Sequence, residues 1–313
     1  MQKIWSHLRA HLRNDFRWDL YLATAAFLTV LIAINYTFDV ERGIIDSYRG
    51  NPVRILWYFL LYAVAYYGGL LLWVGFNKQW QLLHKSQTWI YSLLILSVLA
   101  LDGGFYGYQQ WSLQIFDGQI YLYAFRCFSN LTSILTVFLP LALFYYFYDK
   151  QQHHFYGFRP KWENITPYLL LLVFMFPLIA WASFQPDFLR SYPTYRASGT
   201  NLFFGVAAWI PALFYELFYG FDFVSTELMF RGFMVVGMAH LLGRGAVLPM
   251  VVCYAALHFG KPLGETIGSI FGGYILGVLA LQSRSIWGGI IVHVGVAYLM
   301  ELTAWLQGLR LPA

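Results

Sequence analysis

Long apolar runs separated by short polar breaks make up most of this chain. They cover residues 20–38, 55–76, 89–101, 120–148, 167–184, 202–219, 223–242, 246–259, 266–281 and 286–305. Several approach the ~20 residues with which an α-helix crosses roughly 30 Å of hydrocarbon. The pattern predicts an all-α polytopic transmembrane helix bundle of about eight or nine helices, with no internal repeat and no soluble domain. Gly243-Arg244-Gly245 closes one run and Gly260-Lys261-Pro262 another, as helix-ending residues do. At Asp102-Gly103-Gly104 the pattern breaks into an uncharged aromatic stretch, FYGYQQW, of a kind suited to the headgroup boundary or a re-entrant piece.

Composition sharpens this picture. The chain is 59% hydrophobic and 11% charged, with mean hydropathy +0.55, whereas soluble domains average about 25% charged residues. A soluble protein is excluded. Lys3, Arg9, Arg13 and Arg17 precede the first run without the short apolar core and small-residue cleavage site of a signal peptide, which predicts an N-terminus in the cytoplasm. Basic residues in the later loops alternate too weakly to set the topology. The net charge of +5 suits loops facing a lipid bilayer; no basic cluster is dense enough for nucleic acid. Cys127 and Cys253 lie in apolar runs without CxxC spacing and read as buried thiols. The adjacent His153 and His154 point to different sides of a helix and read as surface residues. Gly268, Gly272, Gly273 and Gly277 form two overlapping small-xxx-small ridges, so their helix is expected to pack closely.

Four residues stand out inside the apolar runs: Glu227, Arg231, His258 and His293. A charge in hydrocarbon costs at least ~2.5 kcal/mol and persists there with a partner or a function. Glu227 and Arg231 are four apart and share a helix face, so an ion pair that neutralises two buried charges is one reading. His258 ends an apolar helix, four residues after Tyr254. His293 lies near the middle of its run, where an imidazole needs a partner on each nitrogen or a polar cavity. One carboxylate and two imidazoles on three helices together point to a hydrolytic site. Two chemistries suit the trio. Glu227 acts as general base on water while an imidazole stabilises the oxyanion; or Glu227, His258 and His293 bind Zn²⁺ and leave a fourth position for water. No HExxH is present, so a zincin-type helix is excluded, and spacing alone does not choose between the two.

The order ELMFRG, then YAALH, then an apolar helix with His resembles the CPBP family, the type II CAAX prenyl endopeptidases and their bacterial Abi relatives. The family pattern is EExxxR, FxxxH and Hxxx followed by Asn or Asp, and the resemblance covers about residues 223–305. It implies an intramembrane endopeptidase of the bacterial cytoplasmic membrane acting on a membrane-associated peptide or protein. Glu227, His258 and His293 would be catalytic, Arg231 would fix Glu227, and Tyr254 would line the pocket. Residues 201–313 are then the catalytic bundle, and residues 1–200 a multispan region of unassigned role. Three positions depart from the pattern. Thr226 replaces the first Glu, to which the family's catalytic role is usually given; Tyr254 replaces Phe; and Ala297 replaces the Asn or Asp. One residue is a turn of about 100° on a helix, so Glu227 does not point where the missing carboxylate would. Asp222, one turn before Thr226, is the best substitute, with Glu265 and Glu301 weaker. The alternative is a catalytically inactive relative acting as a membrane scaffold or regulator; a transporter is a third reading, against which no inverted repeat is present.

Overall fold

The computed structural model describes residues 2–308 apart from 117, 119, 151–153, 160–164 and 196–198. Every regular element among the described residues is helical. A surface helix, α1 (Gln2–Asp15), leads into α2 (Trp18–Phe38), α3 (Val53–Asn77), α4 (Ser86–Gly104) and the short α5 (Gly107–Ile115). Next come α6 (Tyr121–Leu131), α7 (Leu139–Phe144), α8 (Thr166–Ala182), α9 (Pro186–Ser191) and α10 (Thr200–Phe204). The last group is α11 (Trp209–Glu227), α12 (Ala239–Leu242), α13 (Val247–Leu257), α14 (Leu263–Ser283) and α15 (Trp287–Gly308). Among the described residues, seven stretches are long and apolar enough to cross a membrane, and an eighth apolar helix is shorter. The protein is a polytopic helical bundle, as the hydropathy pattern predicts. His153 lies outside the described residues; His154 is exposed, its Nε2 2.8 Å from Arg159 Nη1.

Helix ends follow local chemistry. The helices α3 and α14 stop at Lys78 and Arg284, both left-handed at φ 54° and 53°. Each places a cation where the helix dipole is negative. One predicted boundary is absent: the runs 202–219 and 223–242 are not two helices. A short α10 ends at Gly205, and α11 then runs unbroken through Gly220. Gly220 is there for contact, since a Cβ would come within 2.2 Å of the Tyr298 hydroxyl.

After Glu227 the backbone widens into a π-helix over Leu228–Gly237. Its hydrogen bonds span five residues instead of four, and Gly232 and Gly237, five apart, meet the same neighbour. A Cβ on Gly232 would lie 3.0 Å from the Tyr156 carbonyl oxygen, and one on Gly237 2.9 Å from the Tyr156 ring. Such π segments concentrate at functional positions.

α13 sits in the middle of the bundle, between α3 and α14. At Gly69 of α3 a Cβ would stand 3.0 Å from the Pro249 backbone, so the two helices nearly touch. One apolar core reaches from Leu20 to Ile290 and joins the first and last thirds of the chain. Only half of the predicted glycine packing on α14 occurs. Gly273 and Gly277 face Tyr254 and Met250, whereas Gly268 and Gly272 face open space. Arg17 Nη1 donates to the Phe76 carbonyl at 2.6 Å, so the start of α2 and the end of α3 lie together. The opposite end of α2 reaches the turn that follows α13, where Asn35 Nδ2 donates to the Phe259 carbonyl at 3.0 Å.

Candidate active site

Glu227, the last α-helical residue before the π segment, is fully buried. Its Oε1 lies 2.9 Å from Arg231 Nη1 and 3.0 Å from His293 Nδ1. Both expected partnerships of Glu227 therefore exist at once, on a single oxygen. The other oxygen, Oε2, is buried without a hydrogen-bond partner. It rests against Gly289 of α15, where a Cβ would lie 2.2 Å away. Arg231 is equally buried; none of its guanidinium nitrogens has hydrogen-bond geometry, so the 2.9 Å contact acts as a charge pair. The guanidinium also lies 4.1 Å from the centre of the Tyr254 ring, a cation–π contact that partly replaces water.

The imidazoles differ in how their protons are held. A carboxylate accepts only, so His293 Nδ1 carries the hydrogen that faces Glu227, and in the neutral imidazole Nε2 then keeps its lone pair. Nε2 is 3.3 Å from the Tyr254 hydroxyl, which donates to it in that form. Both nitrogens of His293 thus have partners, as its depth requires. His258, the residue after α13, gives Nδ1–H to the Tyr254 carbonyl at 2.8 Å and so caps its own helix. This leaves Nε2 of His258 as a proton acceptor. The His258 ring sits 4.6 Å from the Tyr254 ring. Tyr254 therefore links the two histidines, through its hydroxyl on one side and its carbonyl and ring on the other. The sequence reading made it a pocket wall and missed this bridge; the phenol at the Phe position of FxxxH was the available signal.

Other candidates lie elsewhere. Thr226 Oγ1 donates to the Asp222 carbonyl at 3.2 Å. The Asp222 side chain faces Ser133 and Asp102, and no described contact joins it to either histidine. As a substitute base Asp222 is thus misplaced: it lies a full turn and a third before Glu227 on α11, on another face. Glu301 accepts from the backbone N–H of Thr194 at 2.9 Å and from its hydroxyl at 2.7 Å. Glu265 accepts from the Tyr192 hydroxyl at 3.1 Å. Both tie the segment 192–194 to the bundle. Ala297 is buried against Tyr215 and Tyr219, an apolar contact in place of an amide or acid.

The donor set does not fit Zn²⁺. Among the described residues no three His, Cys, Asp or Glu side chains are grouped as metal ligands. Glu227 Oε1 already meets a guanidinium and an imidazole N–H, and His258 Nδ1 faces a carbonyl.

Residues 206–299 match the family model described as type II CAAX prenyl endopeptidase Rce1-like. The matched stretch contains Glu227, Arg231, Tyr254, His258 and His293. No curated protein and no solved structure matches the chain. The chain carries an Rce1-like domain, in keeping with its CPBP-type motifs.

Proposed function

Starting from an integral multi-pass membrane protein with an Rce1-like domain, we propose that it is an intramembrane endopeptidase that hydrolyses a peptide bond in a membrane-associated substrate. The observation that carries this reading is the convergence of Arg231 and His293 on one oxygen of a buried Glu227, while its other oxygen has no hydrogen-bond partner. In this reading Glu227 Oε2 takes a proton from water, and His258 Nε2 accepts the water's second hydrogen bond and orients it. The hydroxide forms a C–O bond to the scissile carbonyl. Charge balance comes from Arg231, which offsets the carboxylate before the proton moves and the oxyanion afterwards. The C–N bond then breaks, and the proton held by Glu227 passes to the departing amine. His293 fixes Glu227 on one side and Tyr254 on the other. No step is routed through a metal. The same proposal places the protein in the bacterial cytoplasmic membrane with its N-terminus in the cytoplasm.

The test uses the purified chain in lipid vesicles with two probes, a prenylated CAAX peptide and an unprenylated transmembrane peptide. His258→Gln and Glu227→Gln are expected to lower cleavage by about 10²–10⁴-fold, the usual contribution of a general acid or base. His258 has no ion pair to lose, and the one hydrogen bond it gives up, to Tyr254 O, is worth about 1 kcal/mol, so its variant is expected to fold. Wild-type rates in the folded His258→Gln variant would sink the assigned chemistry. A wild-type chain that cleaves neither probe but binds one would leave the scaffold alternative.

A further inference from the structure

The turn that carries His258 is held from outside the matched domain. Four consecutive carbonyls, those of His258, Phe259, Gly260 and Lys261, each accept from a side chain. Thr266 Oγ1 donates to His258 O at 2.5 Å and Asn35 Nδ2 to Phe259 O at 3.0 Å. Arg42 Nε donates to Gly260 O at 2.8 Å, and the Tyr36 hydroxyl donates to Lys261 O at 2.7 Å. Three of the four donors thus come from residues 35–42, the end of α2 and the turn beyond it. These groups are themselves braced: Asn35 is buried and its Oδ1 accepts from the Glu41 backbone N–H at 3.1 Å. The Tyr36 hydroxyl also touches Thr266 Oγ1 at 2.7 Å, a packing contact once each hydroxyl gives its hydrogen to a carbonyl. A Cβ on Gly260 would stand 2.8 Å from the Glu41 carboxylate, so a side chain there would push Glu41 aside.

A helix C-terminus leaves its final carbonyls unpaired, and the chain leaving it is otherwise free to fray. Here the turn has backbone bonds of its own, from His258 N–H to Ala255 O, Phe259 N–H to Ala256 O and Lys261 N–H to His258 O, and the His258 side chain adds a cap on Tyr254 O that depends on where the turn sits. Moving the turn would therefore break the bond that orients the imidazole. We infer that Asn35, Tyr36 and Arg42 are positioning residues for His258, so the first third of the chain completes the reaction centre. This rests on the proposed role of His258 in hydrolysis. A polar cavity of about 500 Å³ borders the same turn, lined by Arg42, Arg49, Leu257, Gly260 and Lys261 among others. Arg49 lines it while pairing with Asp46 instead of the turn, which makes it an internal control.

The experiment compares wild type with Asn35→Ala, Arg42→Ala, Arg42→Lys and Arg49→Ala in vesicles. It measures kcat and KM, amide exchange at His258, Phe259 and Lys261, and the ¹⁵N signal of the His258 Nδ1–H tautomer. The alanine variants at 35 and 42 are expected to lower kcat by about tenfold to a hundredfold with KM nearly unchanged, as small misplacements of catalytic groups do. They should also speed exchange at the three amides and weaken the Nδ1–H signal. Arg42→Lys should recover most of each effect, and Arg49→Ala should change none. Unchanged exchange and tautomer in the alanine variants would overturn the inference. So would faster exchange with a wild-type kcat. A wild-type chain without cleavage overturns the endopeptidase reading alone; the tautomer signal then upholds the clamp if it shifts and overturns it if it does not.

Discussion

The stretch Trp209–Leu257 and the helix α2 are about equally apolar, yet 83% of the most apolar window of the first is buried, against 22% of the second. The difference lies in what surrounds them. Hydropathy reports the free energy of leaving water, and a lipid tail and a leucine side chain satisfy it alike. What separates the two stretches is the polar content they tolerate. Trp209–Leu257 holds Glu227 and Arg231 with no exposure at all, each beside the other. The exposed side of α2 presents Leu22, Val30 and Ile34. Its polar residues bond other elements at the two ends, Tyr21 to Tyr274 of α14 in the first turn, and Asn35 and Tyr36 to the turn after α13 in the last. The buried stretch carries the charges, and the lipid-facing one reaches in from its end to hold the turn behind them.

The contrast breaks most sharply at Arg231. Arg231→Met leaves the Glu227 charge buried with only His293 beside it, and stability should fall by about 3–5 kcal/mol. The measurement is the unfolding midpoint in a denaturing detergent titration. A midpoint within error of wild type would remove the ion pair from the account. Val30→Ala on α2 is the matching change in lipid and should shift the midpoint by less than about 0.5 kcal/mol.

Gly289→Ala comes next. Its Cβ would lie 2.2 Å from Glu227 Oε2; overpacking of this kind costs about 1–3 kcal/mol and displaces the carboxylate. Cleavage should fall with it, and full activity at wild-type stability would show that Oε2 does not need that space.

The neighbours Gly272 and Gly273 sharpen the comparison within one helix. Gly273→Ala brings a Cβ to 2.9 Å from the Tyr254 ring, whereas Gly272→Ala meets nothing within 4 Å. A loss of about 1 kcal/mol or more is expected for the first and none for the second. Equal midpoints for the two variants would contradict the packing of α14 on α13.

The last comparison concerns Glu41, which lies between α2 and α3. Burial, with help from the Asp46 charge, pushes its carboxyl up to about 7, against the opposing pull of the Gly260 N–H, Tyr58 and Arg42. A carboxyl whose folded value is raised binds more protons folded than unfolded. Its contribution is therefore full below the unfolded value of 4.5 and is lost as pH rises through about 7. Wild type should lose stability between pH 5 and pH 8 relative to Glu41→Gln, as read from midpoints at each pH; parallel curves would exclude Glu41 as the source.

Much of this was legible in the chain. Apolar run lengths specify a multispan helical bundle, because in hydrocarbon a run near 20 residues satisfies its own backbone as a helix, whereas a barrel strand needs about half that length. The deep polar residues Glu227, Arg231, His258 and His293 announce a site, because each would be unfavourable in lipid alone. The boundary near Gly220 was misread, since the Tyr298 contact that makes a glycine necessary there comes from a helix some 80 positions later. Asp222 had the right spacing from Thr226 and the wrong neighbours, a matter that periodicity along one helix does not address.

Solvation and spacing along a single chain are enough to set the class of protein, its apolar runs and the residues that had to find partners. That Arg231 and His293 share one oxygen of Glu227, that Tyr254 joins the histidines, and that residues 35–42 hold the turn after His258 emerges when the helices pack. Those outcomes depend on which helix faces which across the bundle. Among equally apolar helices, that choice is made by close contacts at glycines and by single hydrogen bonds, which leave no periodic trace in the chain.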